Sequence, residues 1–372
     1  MMLLLFRLIT FFTLFFCAVV LGPLCGCRRS EENNDPVEVE RVFSLSVCEQ
    51  LALQDKTALP LVYGHDLVIA ADSGEVRRVD HTLATLWKVK YEGADFSSSG
   101  AVINDRLLLA SRDGSVFCLN LESGSLIWKK ELDAVFVHVP LSGNIGGSAV
   151  MWMLSQSDGV LYALKVDSGE LLWSGEETNR SDGNAVLWEN KLAYGNCDGA
   201  IHLFNASDGS RFESIAVGAS DQMAGTPLVS DDGLLWIGTL AGSLAVIDLK
   251  TTKLISKIKV SEDEAFVRPV PAFSNLVAMG VSAGDLYLCG ADKGKSAVES
   301  SSHLEGAVDS LFYDGIMLYV LSEGNLIALN SALEIKASIN LGDKVDGAVS
   351  IKKGLIAVVA DNSLLLVKGE WK

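Results

Sequence analysis

Asp158-Gly159-Val160-Leu161-Tyr162-Ala163-Leu164-Lys165-Val166-Asp167-Ser168-Gly169-Glu170-Leu171-Leu172-Trp173 decides the fold. A turn at Asp158-Gly159 opens an apolar β-prone run, Ser168-Gly169 turns the chain again, and a further strand starts at Leu171. Glycine suits both turns because it adopts the positive φ that tight hairpins demand. The same turn-and-strand unit recurs at Ser73-Gly74-Glu75-Val76, Asp113-Gly114-Ser115-Val116, Asp198-Gly199-Ala200-Ile201, Ala241-Gly242-Ser243-Leu244, Ala283-Gly284-Asp285-Leu286, Glu323-Gly324-Asn325-Leu326 and Asp361-Asn362-Ser363-Leu364. The pivots Gly74, Gly114, Gly159, Gly199, Gly242, Gly284, Gly324 and Asn362 lie 38 to 45 residues apart. A period of that size, with strands on both sides of each turn, is the signature of β-propeller blades.

The second unit shows how four strands fit one period. Residues 101–103 form a short apolar strand, Asn104-Asp105 a turn, 106–111 a β-rich strand, and 115–120 an alternating strand beyond the Gly114 hairpin. After Glu122-Ser123-Gly124, Leu126-Ile127-Trp128 begins an outer strand. Innermost strands crowd the axis, so small residues or Pro should introduce them. This pattern recurs in Gly100-Ala101-Val102, Ser148-Ala149-Val150, Asn184-Ala185-Val186, Thr226-Pro227-Leu228, Val270-Pro271-Ala272, Gly306-Ala307-Val308 and Gly347-Ala348-Val349. The last unit offers strands only at 347–351, 355–360 and 364–368, whereas 42–47 has no unit of its own. The expected fold is therefore all-β: a monomeric eight-bladed propeller of four-stranded antiparallel blades over residues 42–372, closed by the N-terminal strand. Seven blades with a stray hairpin is the alternative.

Residues 1–26 read as a lipoprotein signal peptide, with Arg7 before an apolar run and small residues after it. Leu24-Cys25-Gly26-Cys27 resembles the bacterial lipobox, which makes Cys27 the expected lipidation site and Cys25 a poor one. An uncleaved membrane anchor or an ordinary signal peptide are the alternatives. Arg28 following the cysteine favours the outer membrane, facing the periplasm. Residues 27–41 are polar and charged, as a flexible tether should be. The remaining cysteines, Cys48, Cys118, Cys197 and Cys289, fall in different repeats and suggest neither a disulfide framework nor a zinc site.

A net charge of -17 argues against a nucleic-acid partner, which requires a basic footprint. His65, His81, His138, His202 and His303 are scattered without metal spacing. No nucleophile elbow or phosphate loop is present, and Asp231-Asp232-Gly233 reads as a hairpin turn, not a calcium loop. No catalytic residue, metal or cofactor is expected. Asp182, Asp221, Arg268, Glu305 and Asp346 precede inner strands and are expected on one rim of the channel, where a cation or a basic peptide is a conceivable ligand.

Residues 158–173 resemble the pyrroloquinoline-quinone (PQQ) type propeller repeat, related in shape to WD40-like repeats. Its Trp follows the Ser-Gly turn by four residues, as in Gly169 to Trp173 and Gly124 to Trp128, whereas Trp87 sits one residue early. The resemblance implies a structural role for Trp87, Trp128 and Trp173 between blades. One branch of this superfamily holds PQQ and calcium in dehydrogenases; their insertions and adjacent cysteines are missing here. The chain plan resembles the other branch, the BamB family of lipoproteins, which implies a non-catalytic, lipid-anchored scaffold that binds the outer-membrane β-barrel assembly machinery. That family's Leu- and Arg-containing contact loop corresponds to residues 174–181, which keep Arg180 without the leucines. A quinoprotein dehydrogenase-like enzyme and a ligand-sensing or carbohydrate-binding propeller are the rival functions.

Overall fold

The computed structural model describes residues 42–223, 225–262, 268–292 and 295–372. The expected signal peptide, Cys27 and tether lie outside them. The described strands form eight four-stranded antiparallel sheets. Seven are consecutive meanders, blades 1 to 7, spanning residues 61–90, 101–131, 141–174, 186–216, 228–259, 270–303 and 310–340. Blade 8 combines Val345–Lys352, Leu355–Ala360 and Ser363–Trp371 with Phe43–Ala52 as its outer strand. The closing strand is longer than residues 42–47 alone, and its register runs from Phe43 opposite Trp371 to Ala52 opposite Ser363. Two backbone bonds between Val42 and Lys372 (3.1 and 2.8 Å) finish the ladder. Closing the ring from both chain ends leaves no blade missing a strand.

The core is distributed over the seams. Each second strand is buried on both faces, as in Leu107–Ala110 or Leu192–Gly195, because every sheet packs against two others. Eight separate apolar clusters result, one per pair of adjacent blades. This explains why the repeats read as apolar runs more often than as strict alternation.

Two sequence readings need correction. Ser148-Ala149-Val150 begins the second strand of blade 3 (Ser148–Leu154), not the innermost one, which is Leu141–Ile145. Pro140-Leu141 carries the inner-strand signature here, and Gly146 and Gly147, at φ +57° and +84°, make a hairpin tight enough to fit both strands before the pivot. Gly306-Ala307-Val308 likewise precedes the inner strand of blade 7, Ser310–Tyr313. Trp87 is not early: Leu83, at φ +61°, occupies the turn position held elsewhere by glycine, so Trp87 also follows that position by four residues.

Candidate functional site

Entry loops and pivots share one face of the blades. Backbone bonds of 2.9 Å join Arg112 to Asp95, Gln156 to Val135, Leu240 to Gln222 and Asp361 to Lys344, each linking the turn after a second strand to the loop that enters the same blade. Asp182, Asp221, Arg268, Glu305 and Asp346 fall at the entrances of blades 4 to 8 in turn, but among the described residues no ion pair or hydrogen bond connects any two of them.

Their surroundings differ. Arg180 grips Asp182 with two guanidinium nitrogens (3.0 and 2.7 Å), and Gln156 donates to it at 2.9 Å. The Arg180 bonds, acting against burial and helped by Gln156, hold the Asp182 carboxyl below the usual carboxylate range. Asp221 is buried at 1% exposure, accepts from Thr239 Oγ1 at 3.1 Å and pairs with Lys257. It ties an entry loop to the second and outer strands of blade 5 and is turned away from the solvent-facing rim. Asp346 is exposed, pairs with Lys344 at 3.4 Å and lies inside the inner strand of blade 8. Arg268 and Glu305 are exposed.

A charged cleft on this face draws on residues that no sequence pattern singles out. Lys56, Asp72, Asp95 and Arg112 line a cavity of about 270 Å³ at the entrances of blades 1 and 2. Arg112 bonds Asp95 and Ser97, each at 3.1 Å. These residues sit in turns of ordinary composition, so only their spatial convergence marks them.

A second constellation lies in blade 4. Ser214 Oγ is 2.9 Å from His202 Nδ1, and His202 Nε2 is 3.1 Å from Asp198 Oδ2. His202 is 3% exposed, and burial, opposed by Asp198, holds its imidazole below its ordinary value. This is the hydrogen-bond order of a serine-activating relay. Ser214, however, is in mid-ladder on the outer strand Arg211–Ala216, opposite His202. The relay joins two strands. Among the described residues no three His, Cys, Asp or Glu side chains converge as a metal site.

The seam tryptophans show why blade geometry persists where their sequence signature fades. Trp87 Nε1 donates to Leu121 O of the next blade (2.9 Å), and Trp128 Nε1 to Val166 O (2.6 Å). Their rings lie where a Cβ would project from the next blade's turn glycine: Gly124 under Trp87, Gly169 under Trp128 and Gly209 under Trp173. Among the described residues Trp173 Nε1 is buried without a partner, while the neighbouring Trp152 donates to Ala206 O (3.0 Å). Blade 4 has Glu213 at the Trp position; Thr252 then replaces the turn glycine of blade 5 at φ +54°, and Lys191 Nζ takes Leu249 O (2.7 Å). The latch survives with a different donor.

These repeats and seams agree with the comparison to known families. The family model described as outer membrane protein assembly factor BamB matches residues 72–300. The chain belongs to this family. Among solved structures, BamB from Moraxella catarrhalis superposes with a TM-score of 0.72 at 18% identity, over 87% of this chain and 97% of that one. The computationally designed Ika8 protein gives 0.71 at 13% identity over 85% and 98%, and Saccharomyces cerevisiae Sqt1 gives 0.71 at 14% over 87% and 99%. Identities this low speak for the fold alone. No curated protein sequence matches the chain.

Within the BamB framework, the loop over residues 174–181 is held by its own bonds: Thr178 N to Asp158 O (3.0 Å), Ser181 N to Gln156 O (3.1 Å) and the Arg180–Asp182 pair.

Proposed function

We propose that this protein is a non-catalytic propeller scaffold, held at the periplasmic face of the outer membrane by lipid on Cys27, that binds protein partners in outer-membrane β-barrel assembly. The BamB-family match over residues 72–300 carries this reading. The physical design suits it: eight blades packed on one another through apolar seams make a rigid frame, and loops on such a frame can vary without changing it. The exposed entrances of blades 4 and 8, with Arg180 and Asp346, are the surfaces offered to partners. The test is crosslinking in cells followed by mass spectrometry of co-purified proteins. Recovery of a β-barrel insertase supports the reading; its reproducible absence, or quinone absorbance with dye-linked dehydrogenase activity in the purified protein, overturns it.

A further inference from the structure

Antiparallel alternation puts the entry loops at one end of the blades and the turns before the outer strands at the other, lower end. Val42 lies at this lower end, where it exchanges backbone bonds with Lys372 beyond the last hairpin of blade 8. Four apolar side chains stand out of the fold around this point. Val42 is 62% exposed and Trp371 47%, on the two strands that close the ring. Ile316, at 44%, lies in the hairpin between the first two strands of blade 7, and Ile335, at 56%, starts its outer strand.

One set of bonds holds these pieces together. Asp314 accepts from Ile316 N (2.8 Å) in its own hairpin and from Gly354 N (2.9 Å) in the hairpin of blade 8. Gly354 O in turn accepts from Gly369 N (2.9 Å), two residues before Trp371. Phe43 is buried in the seam with blade 7, its ring centroid 5.2 Å from that of Trp371. The exposed groups are therefore fixed in place.

The local charge is opposite in sign to the -17 of the whole chain. Lys352 and Lys353 are exposed in the blade 8 hairpin, and exposed Lys372 follows Trp371. Lys336 and Lys368 pair with Glu334 and Glu370, and Asp314 is occupied by its hydrogen bonds, which leaves lysine in surplus. Blades 1 to 4 also expose Leu86, Ile127, Leu172 and Phe212 near this level. The turns before those residues carry Asp80, Glu122, Asp167 and Asp208 instead. At blades 7 and 8 the exposed apolar groups coincide with cations.

We propose that the lower edge of blades 7 and 8 lies on a phospholipid surface, with Val42, Ile316, Ile335 and Trp371 entering the headgroup region and Lys352 and Lys353 meeting anionic headgroups. Tryptophan and lysine suit that boundary, since each joins an apolar body to a polar end. The connection to the rest of the chain supports this occupant: Cys27 precedes Val42 by 15 residues, a reach of at most about 50 Å. The inference rests on the reading of Cys27 as lipidated and adds an orientation to it. The entry loops, at the opposite end of the blades, then face away from the bilayer and toward partners.

For the test, the N-terminal peptide of the full-chain protein is first checked for acyl chains by mass spectrometry. The protein is then mixed, at millimolar lipid, with vesicles of phosphatidylethanolamine and phosphatidylglycerol brominated near the headgroup. Bromine quenches indoles that enter the bilayer. Part of the tryptophan emission should be quenched, and that part should be missing in Trp371→Phe. Lys352→Gln/Lys353→Gln should lower the ratio of docked to undocked protein by about fivefold per lysine removed, and brominated phosphatidylcholine alone should weaken docking likewise. Acylated protein without Trp371-dependent quenching overturns the inference and leaves the anchor standing; undiminished quenching in the lysine variant also overturns it. Trp371-dependent quenching of an unacylated chain supports this surface and refutes the anchor at Cys27. The two lysines are exposed, so their variant tests the surface even if Trp371→Phe fails to fold.

Discussion

Replacing Gly169 by Ala should test the seam directly. Gly169 has φ +70°, a left-handed conformation that costs an L-residue about 1–2 kcal/mol. The added Cβ would lie 2.8 Å from Trp128 Cε3 and 2.9 Å from Cδ2, so the ring must move. Moving it strains the 2.6 Å bond from Trp128 Nε1 to Val166 O, a net contribution of about 1 kcal/mol. Together the variant should lose about 3 kcal/mol. In a Trp128→Ala background the space is empty, and the same substitution should cost only the backbone part, leaving a coupling of about 1–2 kcal/mol. Urea unfolding followed by far-ultraviolet circular dichroism measures all four corners, provided the slopes agree. An equal cost in both backgrounds would refute the idea that the tryptophan ring dictates the glycine. The converse holds at Thr252, where no ring presses on the turn: Thr252→Gly should stabilise the protein by about 1 kcal/mol by relieving a β-branched residue at φ +54°.

Other outcomes follow from buried groups. Burial, opposed by the Ser181 carbonyl, holds His138 below its ordinary value of 6.5, and His202 is lowered in the same direction. The unfolded chain therefore binds these protons first, so their stabilisation is complete above pH 6.5 and declines as pH falls below it, by at most about 1.4 kcal/mol per unit for each histidine. Melting temperature between pH 7.5 and 5.5 should show the slope, and His138→Gln should flatten it. Asp221→Ala should cost about 2 kcal/mol by stranding Lys257 and Thr239, whereas exposed Asp346→Ala should stay within about 0.5 kcal/mol, as denaturant titration will show; loss of partner binding in the former is meaningful only at matched stability. Cys27→Ser should move the protein from the membrane to the soluble fraction, and continued membrane attachment would refute lipid anchoring there.

The candidate sites were less legible than the frame. Asp182 lies before an inner strand as read, but Asp346 falls within one, and Asp221, from the same pattern, is buried under a lysine from the outer strand. Charge in a loop does not say which way the side chain turns. The Lys56–Asp72–Asp95–Arg112 cleft draws on two blades, and His202 meets Ser214 because adjacent strands set them opposite each other. Neither has a spacing that a reading along the chain could detect.

The eight pivots, by contrast, determined the fold from the sequence alone. A turn glycine and its flanking strands are local: the φ requirement of the hairpin and the apolar run after it fit within a few residues, and repetition at 38 to 45 residues multiplies a weak signal eightfold. The stranded segment at the N-terminus even foretold the closing strand. What the tertiary structure decided is everything that spans a seam: why Trp87, Trp128 and Trp173 are followed one blade later by glycine, why Thr252 is tolerated after Glu213, and why Trp152, not Trp173, supplies the bond to Ala206. Those choices depend on atoms about forty residues away, brought within bonding distance only when neighbouring blades pack face to face.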